Sequence, residues 1–313
     1  MNPRSPEGRP LLLDLLRHTI GANVTVESSD VVNRYHDYVV LRVQLANPAS
    51  TLIVKLAGPN ATIACPFDRT AASHNLVSQN TTVPVAHVIA ADVSYARWPW
   101  RYLIMDYIPG IEWAELAPTL TEEQRQHAYT LIAQAVAGLH SIRFAQFGGF
   151  PFERQAHTFR SFTHALHERA RKRIAQKDHA AMFAKLLDER AGLFSGVTEP
   201  ALCHEDLHKH NILFRPEGNK WNLAAILDFD SAWVGSPESD LARIEMWYSG
   251  AVDFLHDYRT LRSISSGYAE RRPIYQLLWC LEYAANTPEH LADTRRLCTE
   301  LGLPPIEGFA PRL

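Results

Sequence analysis

Two short polar segments contain the residues whose types and spacing could carry out chemistry. Residues 204–214 contain Asp206 and Asn211, and residues 226–230 lie at the end of the next apolar run and contain Asp228. An aspartate, an asparagine a short loop later and a second aspartate after an apolar run are the groups needed to activate a hydroxyl and to hold Mg²⁺ against the phosphates of ATP. The pattern therefore predicts phosphoryl transfer.

Each of these three side chains has a role that its chemistry suggests. Because the transition state of phosphoryl transfer is loose, the protein mainly positions the acceptor, accepts its proton and neutralises phosphate charge. Asp206 is the candidate general base, and Asn211 and Asp228 offer the hard oxygen ligands that Mg²⁺ takes. A turn at residues 216–219 between two apolar runs predicts a hairpin that would bring the three side chains together.

Three motifs, in this order and spacing, resemble the aminoglycoside phosphotransferase family, whose members are relatives of choline kinases within the protein-kinase-like fold. The motifs are His204-x-Asp206 with Asn211, the apolar run ending at residues 226–230, and the Gly-Ser-Pro-x-x-Asp segment at residues 235–242. The resemblance implies an α+β, bilobal protein-kinase-like fold. Its N-terminal lobe would be small and β-rich, and its C-terminal lobe larger and mainly helical.

The resemblance also divides the chain and names its ligands. Residues 1–108 would form the nucleotide-binding lobe, and residues 109–313 the helical lobe with the catalytic loop and the substrate pocket. The implied cofactors are Mg²⁺ and ATP, or another nucleoside triphosphate, bound between the lobes. His204 and Asp240 would brace the catalytic loop, and Asp230 would contact a second metal ion through water or order its own loop.

Nucleotide contacts are expected from the N-terminal lobe. Lys55 lies in the apolar run 51–57, where a charge needs a partner such as a phosphate, although a strand lysine alone is more often an exposed edge residue. The resemblance makes it the phosphate-binding lysine. By position, the Asp106 carbonyl and the Ile108 amide would hold adenine, with Met105 behind the base. An ordinary buried strand followed by a Pro-Gly turn is the other interpretation of that segment.

Two features of this lobe depart from the family pattern. The turn expected over the phosphates, residues 32–37, contains no glycine, which makes a close approach of the backbone to ATP harder. Thr70 stands where the family usually has the glutamate that pairs with the lysine. Asp68 could substitute for that glutamate, or the nucleotide alone could hold Lys55. These departures keep a nucleotide-binding pseudokinase open as an alternative to an active kinase.

Zinc chemistry is the other alternative. Every second residue from 204 to 210 is a potential zinc ligand: His204, Asp206, His208 and His210. On an extended segment these side chains would share one side and could bind zinc, as in a zinc-dependent hydrolase. That interpretation leaves Asn211 and Asp228 without a role. An active small-molecule kinase explains all of these residues.

The acceptor is predicted from residues after the catalytic loop. Carboxylates pair with amines, and aromatic faces suit sugar rings or cationic groups. The candidate wall residues are the acids Glu238, Glu245, Asp253, Asp257 and Glu282 and the aromatic residues Trp247, Tyr248 and Trp279. They favour an aminoglycoside-like antibiotic, and hence a role in antibiotic resistance, over a macrolide or another small alcohol. The other interpretation puts the acids on solvated helix faces and the aromatics in the core.

Composition sets limits on partners and location. The chain has 313 residues, a net charge of −3 and 46% hydrophobic residues, which suits a large core in two lobes and gives no reason to expect nucleic acid or an anionic membrane as partner. No apolar run has membrane-spanning length. The four scattered cysteines have no metal-type spacing, so we expect thiols in a soluble, cytoplasmic protein, with a monomer favoured.

Other local patterns predict elements of the scaffold. Residues 11–21 predict a short helix ended by glycine, and residues 38–46 and 51–57 predict a hairpin. Residues 121–124 form a capping box before a long amphipathic helix. The basic run 169–173 is predicted to be a solvated helix face.

Overall fold

A computed structural model describes residues 8–61, 65–153, 156–218, 220–247 and 251–310. The described chain forms two compact units. The first contains the residues up to Asn80, then Pro84–Gly110, and also Ala224–Asp230. The second contains Thr81–Val83, Ile111–Leu223 and the residues from Ser231 onwards. The segment that carries Asp228 therefore belongs to the first unit, although it lies more than a hundred residues beyond the rest of it.

The first unit is built on a five-stranded antiparallel sheet of order β1-β2-β3-β5-β4. Its strands are β1 Thr25–Tyr35, β2 Tyr38–Asn47, β3 Ser50–Ala57, β4 Val88–Asp92 and β5 Arg101–Asp106. Its helices are α1 Gly8–Thr19 and α2 Phe67–Asn80. The predicted hairpin is present as β2 and β3, and the helix predicted at residues 11–21 is α1, which begins and ends slightly earlier.

Lys55 projects from one face of this sheet. Alternate residues along a strand point to opposite faces. Val54 and Leu56 of β3 pack in a core cluster with α1, whereas Ile53 and Ala57 belong to a second cluster that includes the start of α2. Lys55 therefore shares the α2 face of the sheet, and its side chain is only 12% exposed.

The second unit is mainly helical. Its helices are α3 Trp113–Leu116, α4 Glu122–Leu139, α5 Phe162–Arg173, α6 Lys177–Glu189, α7 Pro237–Trp247, α8 Ala251–Leu261, α9 Tyr268–Tyr283 and α10 Pro288–Leu301. Its short strands are β6 Ile111–Glu112, β7 Phe147–Gly148, β8 Thr158–Phe159, β9 Ala201–Cys203, β10 Ile212–Glu217 and β12 Trp233–Gly235. β11, Lys220–Ile226, pairs with β10 and runs on into the first unit. A β-rich unit and a helical unit confirm the predicted α+β class.

Helix α4 shows how local sequence determines an element. The Thr121 hydroxyl accepts a hydrogen bond from the Gln124 amide, and the Gln124 side chain accepts one from the Thr121 amide, which is the predicted capping box. Ala128, Ile132 and Val136 follow at helical spacing and are buried. The helix therefore belongs to the core of the second unit.

Candidate active site

Lys55 pairs with the two aspartates at the end of β11. Its ammonium nitrogen lies 3.1 Å from Oδ1 of Asp228 and 3.5 Å from Oδ2 of Asp230. Burial acts to lower the pKa of Lys55, but the charges of Asp230 and Asp228 outweigh it, so the pKa lies above its usual value. Burial raises the pKa of Asp230 against the opposing charge of Lys55. The lysine is therefore a charged group with two acidic partners.

Thr70 supports this cluster from α2. Its hydroxyl donates to Oδ1 of Asp230 at 2.7 Å and lies 3.0 Å from the Pro66 carbonyl oxygen. Asp68 is exposed, and the ion pairs of Lys55 run to Asp228 and Asp230 instead. The hypothesis that Asp68 replaces the missing glutamate is therefore wrong, because Thr70 holds an aspartate that itself supplies the negative charge.

The turn between β1 and β2 is tied to the strand that carries Lys55. Tyr35 pairs with Tyr38, so the turn has two residues, and His36 takes a positive φ of 46°. The Gly58 amide donates to the Asp37 carbonyl at 2.8 Å, and a Cβ atom on Gly58 would overlap the Asp37 carboxylate. The turn itself contains no glycine, but its Asp37 can pack this closely against the end of β3 only because residue 58 is a glycine.

The residues predicted to hold adenine lie at the end of β5. Met105 is buried in the core cluster on the α2 face, and Ile108 packs against the same cluster. Asp106 is exposed, and its amide donates to the His87 carbonyl at 3.0 Å. Met105, Asp106 and Ile108 therefore lie in the same unit as Lys55, and their contact with a nucleotide stays a prediction.

Asp206, the candidate base, lies in the second unit at the loop between β9 and β10. Its Oδ1 accepts a hydrogen bond from Nη2 of Arg243 at 2.8 Å. The amide nitrogen of Asn211 donates to the Asp206 backbone carbonyl at 2.9 Å and lies 3.4 Å from Oδ2. Nε2 of His208 is 3.6 Å from Oδ2. Asp206 and Asn211 are thus brought together, whereas Asp228 belongs to the first unit.

Asp240 braces this loop, as the resemblance implied. Its carboxylate is fully buried and accepts hydrogen bonds from the amides of His204 and Glu205 at 2.8 and 2.7 Å. Nε2 of His140 lies 3.1 Å from the same carboxylate. Burial acts to raise the pKa of Asp240, but the hydrogen bond and charge of His140 outweigh it and lower it. The Asp206 amide in turn donates to Nδ1 of His204 at 3.2 Å.

Two residues of these loops have unusual backbone angles. Glu205 has φ = 67° and Asp228 has φ = 64°, both in the left-handed region that residues other than glycine rarely adopt. Such strain costs about 1–3 kcal/mol and is concentrated at functional sites. One of these positions immediately precedes the candidate base, and the other is itself a candidate metal ligand.

Glu205 is held by an ion-pair network that sequence reasoning missed. Oε2 of Glu205 lies 2.7 Å from Nη1 of Arg169, whose other nitrogens bind Glu282 at 2.6 and 2.7 Å. Trp233 and Ser239 donate to Oε1. The basic run 169–173 is therefore not wholly a solvated face, because Arg169 is 6% exposed.

A signal for the burial of Arg169 was present in the sequence. Phe162, Ala165, Leu166 and Ala170 of α5 are buried, and Arg169 falls at the helical spacing of this apolar stripe. The periodicity of the stripe, rather than the charge of the run, was the informative pattern.

Three of the acids predicted to line the acceptor pocket already have cationic partners. Arg271 binds Glu238 through two hydrogen bonds at 2.6 and 2.7 Å, and Arg272 pairs with Glu245 at 2.9 Å. Glu282 holds Arg169 as described above. An amine would therefore have to compete with an arginine at each of the three carboxylates.

Two aromatic side chains are exposed in the same unit. Trp247 is 38% exposed and Tyr283 is 56% exposed. Their rings are connected through Trp279, which packs edge to face with Trp247 and stacks on Tyr283 at 5.1 Å between centroids. Tyr248 lies outside the described residues. Of the aromatic residues predicted for the wall, Trp247 is thus exposed and Trp279 is buried.

The alternating histidines do not assemble a zinc site in the described part of the chain. The group of three potential ligands found there, with ligand atoms within 4.8 Å of one another, is His140, Cys203 and Asp240. Nδ1 of His208 accepts a hydrogen bond from the amide of His210 at 3.1 Å, and Nδ1 of His210 lies 2.6 Å from a carboxylate oxygen of Glu112. These contacts explain the histidines without a metal.

Comparison with known families adds an independent observation to this geometry. The sequence model of the phosphotransferase enzyme family matches residues 35–274, which is more than half of the chain. The chain belongs to the phosphotransferase enzyme family. Membership confirms the predicted family resemblance and the phosphotransferase class.

Solved structures confirm the kinase-like fold of this family member. A candidate fructosamine-3-kinase from Haemophilus somnus has a TM-score of 0.67 and 16% identity, over 93% of this chain and 96% of that one. A thermostable mutant of aminoglycoside phosphotransferase APH(4)-Ia, in complex with AMP-PNP and hygromycin B, has a TM-score of 0.63 and 14% identity, over 93% and 98% of the two chains.

Similarity at the level of sequence is shorter. A probable ketoamine kinase from Klebsiella pneumoniae is 33% identical over 86 residues, which are 28% of this chain and 65% of that protein. The chain spans between 19% and 65% of the lengths of the curated relatives that it matches. No helix among the described residues is long and apolar enough to cross a membrane.

Proposed function

We propose that the protein transfers the γ-phosphoryl group of ATP, or of another nucleoside triphosphate, to a hydroxyl of a small molecule. The observation that carries this proposal is the way in which the Asp206 carboxylate is exposed and held in place. Its carboxylate is 28% exposed, is oriented by Arg243, and lies in a loop whose backbone is held by the buried Asp240. A carboxylate held in this way can accept a proton from a hydroxyl that reaches it.

The oxygens of Asp206 differ in availability. Oδ1 accepts the short bond from Arg243, whereas the contacts of Oδ2 with Asn211 and His208 are 3.4 and 3.6 Å long. Oδ2 is therefore the atom that we assign to the acceptor proton. General bases of this kind contribute about 10²–10⁴-fold to the rate.

Asn211 and Asp228 fit Mg²⁺ by the chemistry of their atoms. The amide nitrogen of Asn211 is committed to the Asp206 carbonyl, which leaves the amide oxygen as the ligand, and the Asp228 side chain is 42% exposed. Both are hard oxygen donors of the type that Mg²⁺ prefers. When bound, the metal would neutralise negative charge on the phosphates. Lys55 would contribute a further positive charge to the same phosphates.

These intact residues favour an active kinase over a pseudokinase. The two departures that motivated the pseudokinase hypothesis were Thr70 and the turn without glycine. Thr70 supports Asp230, and Gly58 makes room for the turn at Asp37. Neither departure removes a group that phosphoryl transfer needs.

For the acceptor, we propose a hydroxylated, ring-bearing amine, with aminoglycoside-like antibiotics as the leading class and sugar ketoamines as the second. The names of the relatives, an aminoglycoside phosphotransferase and a ketoamine kinase among them, support amine-bearing acceptors. Because arginines occupy Glu238, Glu245 and Glu282, and Arg243 already packs on Trp247, an exposed aromatic ring such as that of Tyr283 is a better candidate for recognising the cation and the ring.

An acceptor panel tests the proposed function. Purified protein is incubated with ATP, Mg²⁺ and, separately, aminoglycosides, sugar ketoamines, choline and macrolides, and transfer is followed by ³¹P NMR of the acceptor. We expect transfer to an amine-bearing acceptor and its loss in Asp206→Asn. Binding of ATP without transfer to any acceptor would favour the pseudokinase. Transfer to macrolides alone would contradict the amine-bearing class and, with it, resistance to aminoglycosides.

A further inference from the structure

Arg243 is a buried cation with one polar partner in the described part of the chain. It lies in α7, is 4% exposed, and donates through Nη2 to Oδ1 of Asp206 at 2.8 Å. Its Nε and Nη1 atoms are buried and have no hydrogen-bond partner among the described residues. Burial of an arginine with two unsatisfied donors lowers the stability of a fold. Its presence here therefore points to a role other than stability.

Two tryptophan rings pack against the guanidinium in addition to its hydrogen bond with Asp206. Its central carbon lies 3.1 Å from the centroid of the Trp279 ring and 5.0 Å from that of the Trp247 ring. The two rings pack edge to face against each other with their centroids 5.2 Å apart. A planar guanidinium can stack on such rings, whereas the ammonium of a lysine on a flexible stem cannot be oriented in the same way.

The charge of Arg243 is retained at neutral pH. Burial lowers the pKa of Arg243 to about 10, and the charge of Asp206 acts in the opposite direction. At pH 7 the side chain is therefore a cation that neither gives a proton to Asp206 nor takes one from it. Its influence on the carboxylate is electrostatic and geometric.

We propose that Arg243 is a positioning residue for phosphoryl transfer, which fixes Oδ1 of Asp206 and thereby leaves Oδ2 to receive the acceptor proton. The proposal rests on the proposed function, because it assumes that Asp206 is the base. Asp240 fixes the backbone of the loop through the amides of His204 and Glu205. The short contact of Arg243 is the one that sets the orientation of the carboxylate itself.

The reaction step transfers one phosphoryl group and one proton. The acceptor oxygen forms a bond to the γ-phosphorus, the bond from that phosphorus to the bridging oxygen breaks, and the nucleoside diphosphate leaves with the electron pair. The hydroxyl proton moves to Oδ2 of Asp206. A carboxylate that rotates freely would present Oδ2 to the hydroxyl only part of the time, and misplacement of a reacting group by about 1 Å can cost about 10²-fold in rate.

The test compares Arg243→Met and Arg243→Lys with the unaltered protein, using the acceptor that the panel identifies. We expect kcat to fall about 10–100-fold in Arg243→Met, with the KM values for ATP and acceptor changed less than threefold, because only the base is misplaced. Arg243→Lys restores the charge without the ring stacking, so we expect partial recovery of kcat. Arg125→Gln, which removes an exposed ion pair with Glu122, is the control and should leave kcat unchanged.

Thermal unfolding separates positioning from a structural role. Arg243→Met removes the partner of Asp206, but that carboxylate is 28% exposed and can be solvated, and the change also removes two buried donors without partners, so the variant should melt close to the unaltered protein. A lower melting temperature, with kcat and KM affected together, would overturn the proposal. Unaltered kcat in Arg243→Met would also overturn it.

A double variant distinguishes failure of this inference from failure of the proposed function. If Arg243 acts through Asp206, then Asp206→Asn with Arg243→Met should lose no more kcat than Asp206→Asn alone, because residues that act as a unit are not additive. Multiplied losses would contradict the inference. If Asp206→Asn alone keeps its kcat, the assignment of the base fails, and the inference about Arg243 fails with it.

Discussion

The two loops that carry the candidate aspartates hold them in different ways. In the first unit, Lys55 lies between Asp228 and Asp230 at 3.1 and 3.5 Å, and the Asp228 side chain is 42% exposed. In the second unit, Asp206 is 28% exposed and is bound at 2.8 Å by Arg243, which is 4% exposed and stacked on a tryptophan ring. One cation is shared between two acids, and the other is committed to one acid.

This difference suggests a division of labour. A lysine is a compact charge on a flexible stem, so Lys55 can exchange its aspartate partners for phosphates when a nucleotide binds. An arginine stacked on a ring is oriented by its plane and keeps one geometry. We infer that the Asp228 loop is built for a change of partners on binding, and that the Asp206 loop is built to keep a constant orientation.

The largest effect is expected from Asp228→Ala. Removal of a carboxylate ligand should abolish Mg²⁺-dependent ATP binding as well as turnover, since charge on the phosphates would no longer be neutralised. Calorimetric titration with ATP in the presence and absence of Mg²⁺ measures this. Asn211→Ala should weaken both properties less. Unaltered ATP binding in Asp228→Ala would contradict the assignment of the Asp228 loop to nucleotide and metal binding.

The next effect is that of Asp206→Asn. We expect kcat to fall about 10²–10⁴-fold while ATP binding stays nearly unchanged, because a base acts mainly in the transition state. Steady-state kinetics combined with the same calorimetric titration provides the measurement. A variant with near-normal kcat would remove Asp206 from the role of base.

A smaller effect is expected at Thr70. In Thr70→Val, Asp230 loses a hydrogen bond of 2.7 Å, and we expect ATP affinity to fall about tenfold, since a bond to a charged group contributes about 1.5–3 kcal/mol. Thr70→Ser keeps the hydroxyl and is the matched control. Lys55→Met should be more severe than Thr70→Val. Equal affinities for Thr70→Val and Thr70→Ser would show that Asp230 does not need this support.

The smallest effect concerns stability and pH. Burial lowers the pKa of His179 and of His290 below the ordinary value of 6.5. A lowered folded pKa means that the unfolded chain binds protons first, so this part of the stability is present above pH 6.5 and is lost as the pH falls below it. Urea unfolding between pH 8 and 5.5 should show the decline, and His290→Gln should make it shallower. If the free energy of unfolding of His290→Gln declined with falling pH as steeply as that of the unaltered protein, the assignment to His290 would be contradicted.

Local patterns predicted the elements well where short-range interactions decide them. The capping box at Thr121 and the hairpin of β2 and β3 formed as expected, because each depends on residues only a few positions apart. The kinase-like α+β fold was also predicted, from the order and spacing of three motifs. The prediction of a solvated face was wrong for Arg169, because this residue falls in the buried apolar stripe of α5.

Partner choice could not be predicted in the same way. Glu238 is bound by Arg271, 33 positions away, and Lys55 by Asp228, 173 positions away. Which acid meets which base depends on how distant elements pack, and periodicity carries no information about that. The sequence therefore predicts Glu238, Glu245 and Glu282 as binding groups, whereas in the structure each is paired with an arginine.

The sequence alone determined the types of chemistry present: a carboxylate base, hard oxygen ligands and a lysine in an apolar strand, in a chain whose motif order indicates the family. Tertiary structure decided how each group is held. It placed Thr70 on Asp230, buried Arg243 against Trp279 beside Asp206, and removed three acids from the predicted acceptor wall. The reason is physical, because the identity of a side chain fixes its charge and its hydrogen-bonding atoms, whereas its exposure and partners arise only when distant segments come into contact.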